Sequence, residues 1–217
     1  MFVNLLKYRV AEESEVALKQ MLLLNFIGIT AIFSLVYVAV SLLIDFPHGV
    51  YAMFLNFVIF VITLLLFARH KVSYRTAAHL YVGNACLVAV LLCTYFSGGL
   101  FSFVLPWFIL VPVISLLLLG ISRDTTAWLV ITMIITVGFG VLGLTGTEVS
   151  VNYDRDFDAF FALTCIAGLI LIVFIVTHIF EREKAKAFHV IREKNREIVD
   201  SILYAKRLQD AICRQPA

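Results

Sequence analysis

The chain has 217 residues, of which 62% are hydrophobic and 15% are charged, and its mean hydropathy is +0.99. These values exclude an ordinary soluble globular protein and predict an integral membrane protein. The formal net charge is only +2, so no nucleic-acid partner is expected and the lipid bilayer is the first predicted partner.

Residues 1–20 carry charges throughout and have no apolar core before Met21, which excludes a cleavable signal peptide. Apolar side chains nevertheless alternate with the charged ones. Glu15 and Lys19 are four residues apart, which favours a helix. The segment is predicted to form a cytoplasmic, interfacial amphipathic helix.

Six apolar runs follow, each near the ~20 residues that a helix needs to cross a bilayer. The connections between them are short, apart from residues 145–159, so consecutive helices are expected to be antiparallel neighbours. The predicted fold is therefore all-α, a polytopic six-helix bundle over residues 21–179. The six predicted spans are Met21–Ile44, Val50–Phe67, Ala77–Phe96, Phe103–Leu119, Ala127–Leu144 and Phe160–Ile179.

Lysine and arginine fix the expected orientation, because they accumulate on the cytoplasmic side of membrane proteins. Arg155 is the only one of the 17 Lys and Arg residues that falls on the opposite side in this arrangement. Both termini are thus predicted to be cytoplasmic, in the inner membrane of a bacterial cell.

The fourth predicted span is the most unusual. A Ser-Gly-Gly turn precedes it, and Pro106 and Pro112 interrupt it, each removing a backbone donor. This arrangement is similar to that in six-span sensor modules of bacterial histidine kinases and cyclases. A small or lipophilic ligand is therefore expected near this span and Asn84 of the third. The alternative is that the prolines only shape the helix and Trp107 belongs to an interfacial aromatic belt. The predicted ligand-binding residues are Asn84, Ser97, Gly98, Gly99, Pro106, Trp107 and Pro112.

Catalytic motifs are missing from the sequence: it has no G-x-S-x-G, H-E-x-x-H or Walker loop, and no paired carboxylates within the spans. We therefore predict no enzymatic activity for this chain, and no cofactor or metal. Two patterns leave alternatives open. His79 and His178 would suit haem or metal ligation, or else are interfacial residues. Asp154, Asp156 and Asp158 resemble the start of a calcium loop, or else form a solvated acidic loop.

The last predicted span runs into a charged segment with no Gly or Pro at the join, so a single helix is expected from Phe160 to Gln209. Apolar residues in the charged part recur at heptad positions and predict a weak parallel coiled coil, hence a homodimer. The alternative is an amphipathic helix lying on the protein's own cytoplasmic face. The predicted seam consists of Ile191, Ile198, Ala205, Leu208 and Ile212.

Residues 194–212, KNREIVDSILYAKRLQDAI, carry a further signal. They resemble the linker that precedes the catalytic domain in bacterial membrane-anchored, sporulation-type metal-dependent serine phosphatases. That pattern reads E-I-x-D-S-I-x-Y-A-x-R-I-Q-x-A-I. Here Leu208 replaces an Ile, and Cys213 to Pro216 stand where the family continues into its phosphatase domain. The resemblance implies which effector the tail serves and supplies no catalytic residue.

These patterns predict a sensory module in three parts: residues 1–20, the transmembrane domain 21–179 and a signalling helix 180–217. A ligand or a change in membrane state would act through the sixth span on a cytoplasmic effector domain, a serine phosphatase or else a histidine kinase or cyclase. The alternative is a small-molecule transporter or channel. No Asp, Glu, Lys or Arg lies deep in a predicted span and no internal repeat is evident, which disfavours that alternative. A lipid-modifying enzyme would have only His79 and His178 to use.

Overall fold

A computed structural model describes the backbone of residues 2–146 and 149–213, and side-chain environments within 18–146 and 149–209. Helix covers 87% of the chain, and the described residues contain no β-strand, so the predicted all-α class is confirmed. Two compact units can be distinguished. One is Leu22–His178, and the other comprises the helical residues before Leu22 and after His178.

The first two helices are long and apolar. Helix α1 covers Phe2–Leu43, and α2 covers Pro47–Ala68, with Pro47 in the first turn, where a missing N–H costs nothing. The backbone of α1 is helical from Phe2 into the first span without a break.

The third apolar run is not a uniform α-helix. Helix α3 (Tyr74–Gly83) begins at Ser73, whose hydroxyl caps the N–H of Thr76 at 3.2 Å. The run then continues as a π-helix, Asn84–Leu91, and ends as the short α4 (Leu92–Phe96). π-Helical stretches are rare, and they are frequently found at functional sites.

The fourth apolar run also departs from α-helical geometry. After a 3₁₀ turn at Gly99–Phe101, a 3₁₀ helix at Leu105–Ile109 leads into α5 (Leu110–Leu119). The tight turn predicted before this run is confirmed, since Gly98 and Gly99 have φ of +109° and +61°. Only glycine adopts such values without strain.

The last two helices are continuous. Helix α6 covers Arg123–Leu144 and is capped by Ser122, which accepts from the N–H of Thr125 at 3.3 Å. A short 3₁₀ turn at Arg155–Phe157 precedes α7, which covers Asp158–Cys213 as one helix of 56 residues. The predicted continuity of the last span with the charged tail is thus confirmed.

Five helical segments in the described part of the chain are long and apolar enough to cross a membrane, and these are the helices of a membrane protein. The fourth predicted span is represented by the shorter apolar helix Leu105–Leu119. Large apolar side chains on the spans face outward, as a bilayer would require; examples are Leu42, Ile134, Leu163, Ile170 and Phe174.

Within Leu22–His178, the core forms where the spans meet. Helix α5 packs against α6 and α3, and α2 packs against the π-helix and α4. Helices α1, α2, α3, α5 and α7 each contribute a fully buried side chain to this core; these are Phe26, Phe60, Tyr81, Leu118 and Ile172. The irregular backbone of the third and fourth runs packs against other helices through buried residues such as Asn84 and Phe108, whereas Pro106 and Ile109 are exposed. Non-helical backbone at membrane depth requires protein partners of this kind.

Candidate functional site

A cavity of about 80 Å³ lies among five of the apolar runs, and we call it the interhelical cavity. Its walls are almost entirely apolar or aromatic, and none of the described residues that line it carries a charge. Such a chamber excludes ions and suits an uncharged group. Its lining residues include Thr30, Ser34 and Tyr37 of α1, Asn56 and Phe60 of α2, Tyr81, Ala85, Ala89, Trp107, Val111, Cys165 and Ile172.

Both irregular helices border this cavity. Ala85, Ala89 and Val90 belong to the π-helix, and Trp107 belongs to the 3₁₀ helix Leu105–Ile109. A π-helix and a 3₁₀ helix have a different number of residues per turn from an α-helix. Their side chains therefore do not continue the rows that an α-helix would pack against its neighbours. The cavity therefore coincides with the two places where the backbone departs from α-helical geometry.

A chain of hydrogen bonds crosses three spans beside the cavity. The Asn84 amide donates to the backbone carbonyl of Asn56 at 3.0 Å, and the Asn56 amide donates to Ser34 Oγ at 2.7 Å. Ser34 in turn donates to the carbonyl of Thr30 at 2.8 Å. Polar side chains within apolar spans commonly join helices in this way.

Two aromatic residues connect the cavity to α7. The Tyr37 hydroxyl donates to the carbonyl of Thr164 at 2.8 Å, and Trp107 Nε1 donates to the carbonyl of Cys165 at 3.2 Å. Their rings meet edge to face with centroids 5.3 Å apart. Gly168 permits this approach, because a Cβ there would overlap the Tyr37 hydroxyl. Tyr37 and Trp107 thus contact both the cavity and the backbone of the last span.

A second, more polar depression of about 730 Å³ lies at the loop end of the bundle, and we call it the loop cleft. Ser97 and Gly98 line it, together with Tyr153 and Asp158. Ser97 is held by bonds to the carbonyl of Cys93 and the hydroxyl of Ser102, both at 2.5 Å. The cleft is thus built on a turn whose geometry is fixed by hydrogen bonds.

The structure distributes the predicted ligand-binding residues over separate places. Trp107 lines the interhelical cavity, and Asn84 is buried beside it in the hydrogen-bond chain. Ser97 and Gly98 line the loop cleft, and Gly99 is buried behind Val149. Pro106 is exposed and Pro112 half-buried, and neither lines either depression.

Several residues that line the cavity, or that join it to α7, are not identified by the sequence patterns. Asn56 is recognisable as a polar residue of a span but not as part of a site, and Tyr81, Tyr37 and Gly168 give no signal. An aromatic or glycine residue among many others in apolar runs is unremarkable until its neighbours are known. For Asn56 a signal exists, because a buried amide in a span must find partners.

The histidine at the start of the third run belongs to a different cluster. His79 Nε2 lies 3.1 Å from Asp124 Oδ2, and its Nδ1 accepts from Trp128 Nε1 at 3.1 Å. Arg75 Nε also donates to Asp124 Oδ2, at 2.7 Å. Both ring nitrogens of His79 are therefore engaged in joining α3 to α6. His178 is exposed and stacks on Phe174.

The acidic run before α7 organises its own loop. Asp154 accepts from the N–H of Asp156 at 3.0 Å, and the Tyr153 hydroxyl donates to Asp158 at 2.7 Å. Burial, and then the bond to Asp158, raise the pKa of Tyr153 well above its usual range, so its hydroxyl keeps its proton. Among the described residues, no group of three or more His, Cys, Asp or Glu side chains is arranged to hold a metal ion.

The predicted seam lies on the second half of α7. Ile191 and Ile198 are half-buried, and Ala205 and Leu208 are exposed. The side chain of Ile212 lies outside the described residues. Further apolar side chains on the same segment are exposed, among them Phe188, Val199 and Ile202.

The chain matches no family model, no curated protein and no solved structure.

Proposed function

We propose that this chain is a membrane sensory module. A small ligand in the interhelical cavity, or a change in the state of the bilayer, would shift the last span and thereby a signalling helix that regulates a cytoplasmic effector domain. The main support is α7, a single helix that contacts the cavity through Cys165 and Ile172 and continues to Cys213. Its sequence contains no Pro and one Gly, Gly168, so little in it would absorb a rotation or a shift before the tail.

The coupling would begin at the two aromatic donors. Tyr37 and Trp107 bind consecutive carbonyls of α7, those of Thr164 and Cys165, and also line the cavity. A ligand that displaced either ring would change the contact with α7 at the same time. The effector we propose is a serine phosphatase, or else a kinase or cyclase, because residues 194–212 resemble the phosphatase linker.

We further propose six membrane crossings, with Leu105–Leu119 as the fourth. Five residues of 3₁₀ helix and ten of α-helix rise roughly 25 Å, slightly less than the ~30 Å of a bilayer core. The preceding residues Ser102 and Val104 are buried in protein, so they can occupy the remaining depth. An even number of spans would place both termini in the cytoplasm, in agreement with the distribution of Lys and Arg.

This topology predicts which positions a reagent can reach from outside the cell. Arg69 and Asp156 are both exposed, and each is replaced by cysteine in a chain that carries Cys213→Ser. An impermeant maleimide should label Asp156→Cys in intact cells and Arg69→Cys only after permeabilisation. The opposite pattern would overturn the orientation, and equal labelling of both in intact cells would overturn the span count.

Transmission to the tail can be tested without a ligand. In the Cys213→Ser chain, a cysteine at Ile198 should form a disulfide with its copy in a second chain. Trp107→Phe removes the bond to Cys165 and should change the crosslinking rate about fivefold, the effect of ~1 kcal/mol on a two-state equilibrium. Trp128→Phe removes the bond to His79 and is the matched control, with no change expected.

Two results would contradict the proposal. Equal effects of the two tryptophan changes would show that the tail responds to general loosening of the bundle. Failure of Ile198→Cys to crosslink at all would remove the parallel dimer.

A further inference from the structure

The contacts of His79 with α6 determine the protonation state of its ring. Trp128 Nε1 donates to His79 Nδ1 at 3.1 Å, and an indole nitrogen can only donate. Nδ1 must therefore carry a lone pair, so the ring proton lies on Nε2, which is 3.1 Å from Asp124 Oδ2. Turning the ring over would put carbon atoms in place of both nitrogens and lose both bonds. The two contacts together thus require the neutral imidazole.

A second proton on the ring is incompatible with one of these contacts. Both nitrogens of an imidazolium donate, so Nδ1–H and the indole N–H of Trp128 would face each other as two donors. The contact with Asp124, in contrast, would become a charge-assisted hydrogen bond, which is stronger than a neutral one. Proton uptake should therefore keep His79 on Asp124 and displace Trp128.

Arg75 holds Asp124 in place in either state of the histidine. It lies one turn before His79 on α3, and its Nε donates to the same Asp124 oxygen at 2.7 Å. Arginine stays charged at physiological pH, so this bond does not respond to the proton. The side chains of Arg75 and His79 are 72% and 35% exposed. Protons can therefore reach the imidazole from solvent.

No other charged group contacts the imidazole among the described residues. Helix α5 has no titratable side chain, and those of α2, His48 and Tyr51, lie at its opposite end. Cys86 of the π-helix is buried, and the Tyr74 hydroxyl donates to the carbonyl of Leu118 at 2.7 Å. The remaining titratable residues at this end of α2, α3 and α6 are exposed and form no hydrogen bond or ion pair with the imidazole; they are Arg69, His70, Lys71 and Arg123.

Displacement of Trp128 would alter the packing at the end of α3. The indole ring lies against Gly83, since a Cβ on that residue would be 3.2 Å from Trp128 Cη2. Gly83 is the last residue of α3, and the π-helix begins at the next residue. The indole therefore fills the contact between α6 and the point where the third run leaves α-helical geometry.

We propose that His79 is a proton-binding site that holds Trp128 against α3 only while the imidazole is neutral. Histidine side chains change their charge between about pH 5 and 8, so acidification over this range should release the indole and loosen α3 from α6 beside Gly83. The inference concerns this contact alone and is independent of the proposed sensory function.

The test follows the indole protons by NMR in the full chain, labelled with ¹⁵N-tryptophan in lipid nanodiscs. The sequence contains two tryptophans, Trp107 and Trp128, and Trp107→Phe assigns their signals. Between about pH 8 and 5, the Trp128 indole proton should move upfield as its hydrogen bond is lost. The indole proton of Trp107, which is bound to the carbonyl of Cys165, should not move and is the internal reference.

His79→Gln separates the hydrogen bond from the titration. A glutamine amide can accept from Trp128 and donate to Asp124, but it does not titrate, so the Trp128 signal should remain and lose its pH dependence. His70→Gln is the matched control, because His70 is an exposed histidine in the turn before α3. This second substitution should leave the transition unchanged.

Trp128→Phe provides the reciprocal measurement. The indole binds only the neutral ring, so its removal should raise the proton affinity of His79 about three- to tenfold, the equilibrium effect of one hydrogen bond. Titration of ¹³C-labelled histidine in the parent and the variant measures this change. A Trp128 signal that does not respond to pH, a transition that survives His79→Gln, or equal proton affinities in the two chains would each overturn the inference.

Discussion

One alanine inserted after Phe188 should abolish crosslinking between cysteines at position 198 of the parent numbering. The backbone is helical on both sides of Phe188, so the insertion turns every later residue by about 100° and advances it by about 1.5 Å. The seam residues would then face away from those of the second chain. Crosslinking should fall to the level of a cysteine at Arg196, which lies on another face of the helix, when both are measured by disulfide formation in native membranes.

A seven-residue insertion at the same place is the control for this experiment. Seven residues return the helix to within about 20° of its starting phase, so crosslinking and its response to Trp107→Phe should largely recover. A tail that acts as a passive tether would tolerate both insertions equally. That result would remove the signalling helix from the proposed mechanism.

Gly168→Ala should destabilise the helix bundle, because the added methyl group meets two aromatic side chains. The new Cβ would overlap the Tyr37 hydroxyl and lie 3.1 Å from Tyr37 Cζ and 3.2 Å from Trp107 Cζ2. Forcing these groups apart would break both bonds to the carbonyls of α7. The expected loss is about 1–3 kcal/mol of unfolding free energy, typical of overpacking, measured by titration with SDS in mixed micelles.

A double-mutant cycle identifies the atom responsible. Tyr37→Phe removes the overlapping oxygen, so Gly168→Ala in that background should cost at least about 1 kcal/mol less than in the parent. Gly138→Ala is the matched control, because Gly138 lies within α6, is exposed, and would place its new methyl group with no neighbouring atom within 4 Å. Equal losses at Gly168 and Gly138, or additive effects in the cycle, would refute the close approach of Tyr37 to α7.

Sequence patterns locate the helices well because the signal is local. The second run is predicted as Val50–Phe67 and is helical over Pro47–Ala68, and the sixth is correctly joined to the tail. Apolar length and the placement of Pro and Gly determine these features without reference to neighbours. The fourth run is predicted as Phe103–Leu119, and its first turns are 3₁₀, in agreement with the proline at position 106.

The candidate site can be predicted only in part, because it depends on contacts between distant residues. Trp107 is identified through its unusual neighbours in sequence. The pairing of Asn56 with Ser34, the fit of Tyr37 against Gly168 and the engagement of both ring nitrogens of His79 each join residues of different helices. Nothing in the spacing of those residues along the chain encodes which helices become neighbours or how they are rotated.

The π-helix is not predicted by the sequence patterns either, and it has a consequence for comparing this chain with others. A π-helix holds more residues over the same rise than an α-helix does. A related chain whose third span is α-helical throughout would therefore be shorter between Asn84 and Leu91 and yet cross the same thickness. An alignment of the two would open a gap in the middle of a transmembrane segment, where gaps are usually taken for errors. Here such a gap would instead distinguish chains that possess the cavity from chains that have closed it.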